Sequence, residues 1–298
     1  MALDQDKIRK TLRELRRALK PQSHWRSPEK VHALRTGTRR TESLIHALKL
    51  DEKPYARILF KTLSRIFKRA GKVRDMDVLI AFTSGLPVDS SDPCLTQLIS
   101  HLGEKRHSAA SKLHASVAKH AKAARQHLKK SSTSLQNSMT EPDSQQRQSD
   151  AAAFALRLSG DLAAWPRLMP SNLHEFRLKI KELRYTLELA EGNETAFFRT
   201  LREVTSAIGD WHDWDKLLGI AAKVLNHSPR CAVLQAIRST VTAKHHDALS
   251  RANTLREKYL GASTASHKQR KTSPPPLNKP TLAAITRLTG QSAAPAAS

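Results

Sequence analysis

Apolar residues recur along this chain at spacings of three and four, and no segment alternates apolar with polar over more than a few positions. That period gathers them on one side of a helix, so the pattern predicts an all-α protein. Residues 3–20 carry Leu12, Leu15 and Leu19 on one face, and 29–50 carry Val31, Leu34, Leu44, Ile45 and Leu48 among basic positions. Residues 54–70 hold Ile58, Leu59, Leu63, Ile66 and Phe67, with Pro54 suited to a first helical turn. A short helix over 73–83 is expected to stop at Gly85 and Pro87, and a long one covers about 95–130. Helices resume over 151–164, 171–190, 194–208, 211–226 and 231–260.

Two stretches break the pattern. Residues 131–150, SSTSLQNSMTEPDSQQRQSD, are polar and read as a linker between a first unit at 1–130 and a second at 151–261. Residues 262–298 are rich in Pro, Ala and Ser and are expected to be disordered.

The two units resemble each other. VHALRTGTRR at 31–40 is echoed by LHEFRLKIKELRY at 173–185, with His32, Arg35 and Arg39 matching His174, Arg177 and Lys181 at an offset of 142. GKVRDMDVLI at 71–80 lines up with GDWHDWDKLL at 209–218, offset 138, and Cys94 falls 137 residues before Cys231. Three patches in order at nearly one offset point to an internal duplication, each half a bundle of about four helices.

Charge sharpens the picture. The 51 Lys and Arg outnumber the 27 Asp and Glu, giving +24; the tail accounts for five of these charges and leaves +19 on residues 1–261. An excess this large favours polyanions without selecting one. On a helix of about 100° per residue, His32, Arg35 and Arg39 share one narrow face. Arg40 lies off it, and His174, Arg177, Lys181 and Arg184 repeat the stripe with Tyr185 beside them. Lys61, Arg65, Lys68 and Lys72 make a second stripe, whose counterpart holds Arg199 and Arg202 but has Glu203 in place of Arg65. Like charges at these spacings repel, and only Glu42 and Glu182 stand near enough in sequence to relieve them, so the stripes read as a seat for a chain of anions.

The acidic pairs Asp75, Asp77 and Asp213, Asp215 lie two apart, which keeps each pair off a common helix face and disfavours a Mg²⁺ site. They are expected to cap helices or anchor arginines, with Gly71 and Gly209 forming tight turns between helices. The two cysteines give neither a disulfide framework nor zinc spacing. With no secretory signal and no run of about 18 apolar residues, a cytoplasmic protein without membrane insertion is expected.

The ordered motifs resemble the CHAD family, the conserved histidine α-helical domain. VHALRTGTRR and LHEFRLKIKELRY are similar to its two signature helices, and GKVRDMDVL to the stretch closing a helix hairpin of the first half; the resemblance covers residues 1 to about 260. It implies two pseudo-symmetric four-helix bundles flanking a basic central groove that binds inorganic polyphosphate. The lining residues would be His32, Arg35, Arg39, His174, Arg177, Lys181, Arg184 and Tyr185, extended by Arg40, Lys61, Arg65, Lys68, Arg69 and Lys72. It further implies a stand-alone binding module with no catalytic residues, cofactor or metal, whose partners are polyphosphate and polyphosphate granules with their associated proteins. Trp211 and His212 depart from the usual residues of the motif.

Two other functions compete. His212–Asp213 and His246–Asp247 are similar to the metal pairs of a helical phosphohydrolase, but no further ligands can be assigned from the sequence. Non-specific contact with DNA or RNA suits the charge, whereas no zinc-finger, RNP or helix-turn-helix pattern offers base reading.

Overall fold

The computed structural model describes residues 3–20, 25–138, 143–190, 195–225 and 231–261. Eight α-helices account for nearly all of them: α1 (Gln5–Ala18), α2 (Pro28–Ala47), α3 (Pro54–Ser84), α4 (Pro93–Ser138), α5 (Asp143–Ala163), α6 (Pro170–Leu187), α7 (Ala196–Val224) and α8 (Ala232–Tyr259). The expected disorder of 262–298 lies outside the described residues.

Local chemistry explains where several helices begin. Asp4 caps α1 by accepting from the Lys7 amide, Ser27 caps α2 by accepting from Lys30, and Thr195 caps α7 by accepting from Phe198. Proline opens α2, α3 and α6, where a missing N–H costs nothing.

The order repeats after four elements. α3 packs along α4 and α7 along α8, while α2 packs on α3 and α6 on α7, as a duplicated helical unit requires. The predicted apolar faces turn inward: Leu12, Leu15, Leu19, Val31, Leu34, Leu44, Ile45, Leu48, Leu59, Leu63 and Ile66 are all buried. Ile58 instead remains 48% exposed.

Three expectations need correction. First, α3 and α7 run unbroken through Gly71 and Gly209, so neither glycine makes an inter-helix turn. Second, most of 131–150 is helix: α4 continues to Ser138 and α5 begins at Asp143, with 139–142 outside the described residues. The polar segment is tied down by side chains that apolar periodicity does not register. Buried Asp150 pairs with Lys49 at 2.8 Å and with Arg147 at 3.6 Å, and Arg147 donates to the Leu48 carbonyl at 2.9 Å.

Third, the halves do not keep separate interiors. One hydrophobic cluster draws on all eight helices. A second joins the tip of the α3–α4 hairpin to that of α7–α8, where Phe82 stacks on Trp214 with ring centroids 4.6 Å apart. The half-buried Cys94 and Cys231 both pack on this second cluster. The Cys94 thiol is pushed up to about 11 by burial and by hydrogen bonding to Cys231. Between the clusters lies a polar belt holding the acidic motifs, from Val73 to Leu79 on α3 and from Trp211 to Leu217 on α7, where Trp214 interrupts it.

Candidate functional site

The two signature helices, α2 and α6, meet across the halves, and α3 meets α7 behind them. Each half builds the same arrangement. In the first, the Arg35 guanidinium lies against Gly71 of α3, where an added methyl group would overlap it; in the second, Arg177 lies against Gly209 of α7 in the same way. A glycine inside a helix costs about 1 kcal/mol relative to alanine. Both helices carry that cost where an arginine passes close to the backbone. Arg177 is held further by donating from Nε to the Thr205 carbonyl at 2.9 Å, and Arg35 lies over the Phe67 ring at 4.6 Å.

The acids of the belt complete the pattern. Asp75 faces Arg35 and Asp213 faces Arg177, equivalent positions of the two halves. Burial nevertheless dominates: it lowers the pKa of both arginines and raises that of the Asp213 carboxyl against the pull of Arg177. Asp77, its side chain 4% exposed, accepts from Arg106 Nε at 2.8 Å, and Arg106 also donates to the carbonyls of Trp25 and Arg26. Asp75 pairs with Lys216 of the other half at 2.5 Å. Asp77 thus anchors an arginine, as expected, and Asp75 a lysine; since the motifs lie mid-helix they cap nothing.

Lys181 is the most perturbed cation of the site. Burial first, then the neighbouring charges of Arg177, Arg184, Arg35 and Arg39, depress it to about 7. His32, His174 and His212 are likewise held below the usual imidazole value, each chiefly by burial and then by neighbouring cations or a second imidazole. The His174 and His212 rings sit 4.3 Å apart, and the buried Nδ1 of His174 has no hydrogen-bond partner among the described residues. His32 shares a 3.4 Å hydrogen bond with the Thr36 hydroxyl.

Neutralisation is selective. Arg39 pairs with Glu42 at 3.0 Å, while Glu188 pairs with Arg40 at 3.0 Å and with Arg184 at 3.2 Å. Arg40 also reaches Glu14 of α1 at 3.9 Å, so it ties α1, α2 and the end of α6 together. Arg184 lies over the buried Tyr185 ring at 4.6 Å. Among the described residues, Arg35, Arg177 and Lys181 make no ion pair within 4.0 Å. A cavity of about 400 Å³ opens beside Arg39 and Lys181, with Glu42, Glu175 and Glu182 also on its wall.

Two contributors escaped the sequence pattern. Arg74 acts electrostatically on His32, Arg35 and Asp213, and the His212 ring packs at a tilt against His174. They occupy equivalent positions in the two halves, at the offset of 138 that relates the glycines. That offset is the signal in the sequence that marks them. Conversely, Arg65, Lys68, Arg69 and Lys72 do not join α2 and α6. Phe67 and Gly71 turn toward Arg35, whereas these four line a different cavity with residues of α4, and Lys61 is exposed one turn away along the same stripe.

Among the described residues, no group of three or more His, Cys, Asp and Glu side chains could hold a metal ion, and Asp247 is paired with Arg251 at 2.8 Å. None of their helices is long and apolar enough to cross a membrane. No curated protein matches the sequence. The fold is similar to the crystal structure of the CHAD domain from the plant Ricinus communis, with a TM-score of 0.60 and 21% identity over 86% of this chain and 89% of that one. It is also similar to PptA from Streptomyces chartreusis, with a TM-score of 0.54 and 18% identity over 84% of this chain and 95% of the other. The CHAD domain family matches residues 6–222, most of the described helices, and the chain belongs to that family.

Proposed function

We propose that this protein binds inorganic polyphosphate in a basic groove along α2 and α6, with His32, Arg35, Arg39, His174, Arg177, Lys181, Arg184 and Tyr185 as its lining and Arg74 and His212 at one end. Membership of the CHAD family supports this reading, since that family implies a binding module with a general association with polyphosphate. The observation that carries the reading is the cluster around Lys181: burial, and then arginines from both halves, hold this lysine down to about 7. Such a cluster destabilises itself when empty, and a chain of phosphates relieves it.

Arginine forks suit phosphate oxygens, and imidazoles donate to them once protonated, which bound phosphate favours. Capture then proceeds by threading a linear chain past the paired arginines, with released counterions supplying much of the affinity. Association with polyphosphate granules would follow from the same contacts. Replacing Arg35, Arg39, Arg177 and Lys181 together by alanine is expected to leave the helical circular dichroism intact and abolish binding of long-chain polyphosphate. Tight binding by that variant would refute the site.

A further inference from the structure

The cations that the structure separates from α2 and α6 form a site of their own. Arg65, Lys68, Arg69 and Lys72 of α3 face Lys112 and Lys119 of α4 across a cavity of about 590 Å³. His120, Ala115 and Ser116 complete the wall, and among the described residues no acidic side chain lines it. The six cations are exposed, and burial followed by the charge of Arg65 holds the His120 imidazole below its usual value.

The fold does not demand this charge. In the second half, the helix equivalent to α3 carries Glu203, Ser206, Ala207 and Asp210 where the first half has Arg65, Lys68, Arg69 and Lys72. The same helical position is therefore compatible with acidic and neutral residues, and like charges so spaced cost helix stability. A feature present in one copy, costly, and unneutralised by its surroundings calls for a ligand.

We propose that the outer face of the α3–α4 hairpin is a second, independent site for a linear phosphate chain, so that one molecule grips two segments of polyanion. The choice of polyphosphate rests on the function proposed above. Four cations of α3 fall within eight residues, about 10 Å of helix. Consecutive phosphates of a phosphoanhydride chain are joined through single oxygens, so they present more charge over that length than a nucleic-acid strand, whose phosphates are separated by sugars. The cavity wall also offers no Phe, Tyr or Trp on which a base could stack. Two separated sites on one rigid scaffold raise affinity for chains long enough to reach both and cross-link chains that reach different molecules.

Calorimetric titration with inorganic tripolyphosphate, too short to span both sites, tests this. The whole chain is compared with an outer variant, Arg65→Glu with Lys68→Ser and Lys72→Asp, which imports the residues of the second half. A seam variant, Arg177→Ala with Lys181→Ala, completes the set. The wild type is expected to take up two tripolyphosphates and each variant one, and both variants should bind long chains roughly a hundredfold more weakly than wild type. A glutamine triple variant at the same three outer positions should reproduce the loss should the charge-reversed chain fail to fold. An outer variant that binds as wild type does overturns the second site. Loss confined to the outer variant, with the seam variant unaffected, upholds the second site and removes the first. If the outer variant instead loses only its affinity for a single-stranded oligonucleotide, the groove is a nucleic-acid surface and the proposal falls.

Discussion

Lys181 stands among four arginine side chains that oppose its proton, and its burial opposes the charge still more. In the proposed complex, the negative charge of a bound phosphate chain would outweigh both effects, so binding takes up a proton whenever the free amine is neutral. The sign follows from linkage. Below about pH 7 the lysine is charged with or without ligand, and affinity does not depend on it. Above that pH, binding must first charge the amine, so affinity falls by up to about tenfold per pH unit until the higher pKa of the complex is passed. Titrations between pH 6 and 9 should show this decline, and Lys181→Arg, which keeps its charge throughout, should reduce it to the part contributed by His32, His174 and His212. A wild-type affinity independent of pH over that range would contradict the assignment. Gly209 gives a second residue-scale prediction. Alanine there should raise helix propensity by about 1 kcal/mol yet force Arg177 off the Thr205 carbonyl, weakening polyphosphate binding by roughly tenfold. Gly71→Ala should do less, because only the terminal Nη1 of Arg35 lies within overlap of the added methyl. The arginines themselves were legible in the repeated His-x-x-Arg spacing. What those glycines were for was not: a sequence shows that a backbone is bare, not which side chain from another helix lies on it.

Among the elements, α1, α2, α6 and α8 follow from the apolar period and its breaks to within a few residues at each end. α3 and α7 were divided in the sequence reading because glycine followed by a run of polar residues is the usual signature of a turn. Both helices continue because the polar run is held on each side. Asp77 Oδ1 accepts from Arg106, Asp75 pairs with Lys216, and apolar clusters grip the helix above and below the belt. The supposed linker failed for a related reason. Asp150 and Arg147 anchor the start of α5 through charge and hydrogen bonds, to which a count of apolar residues is blind. Arg106 offers a direct test at this scale, since it connects α4 to Asp77 of α3 and to the carbonyls at Trp25 and Arg26. Removing it leaves a nearly buried carboxylate without its partner. Arg106→Ala should therefore cost about 3 kcal/mol in denaturant unfolding, while Arg106→Ala combined with Asp77→Ala should recover part of that loss. Equal stability of the single variant and the wild type would show that the belt does not hold the hairpin.

At the scale of the whole molecule, the duplication was visible in three matched patches, but not the way its halves share their interior. The shared clusters hold α2 against α6 and α3 against α7 across the pseudo-repeat, so arginines far apart in sequence converge on one lysine. The convergence explains why neither half alone provides the proposed site. The proposed groove would differ from a general cationic surface in admitting a thin chain of linked phosphates and excluding a duplex. Competition between the two polyanions at about 150 mM salt, where weak surface attraction is screened, tests that distinction most directly. Labelled long-chain polyphosphate bound to the protein is challenged with double-stranded DNA matched in total phosphate. Retention of the label under a large excess of DNA is the predicted result; displacement of the label in proportion to added phosphate would contradict the groove and leave a polyanion-binding surface without preference.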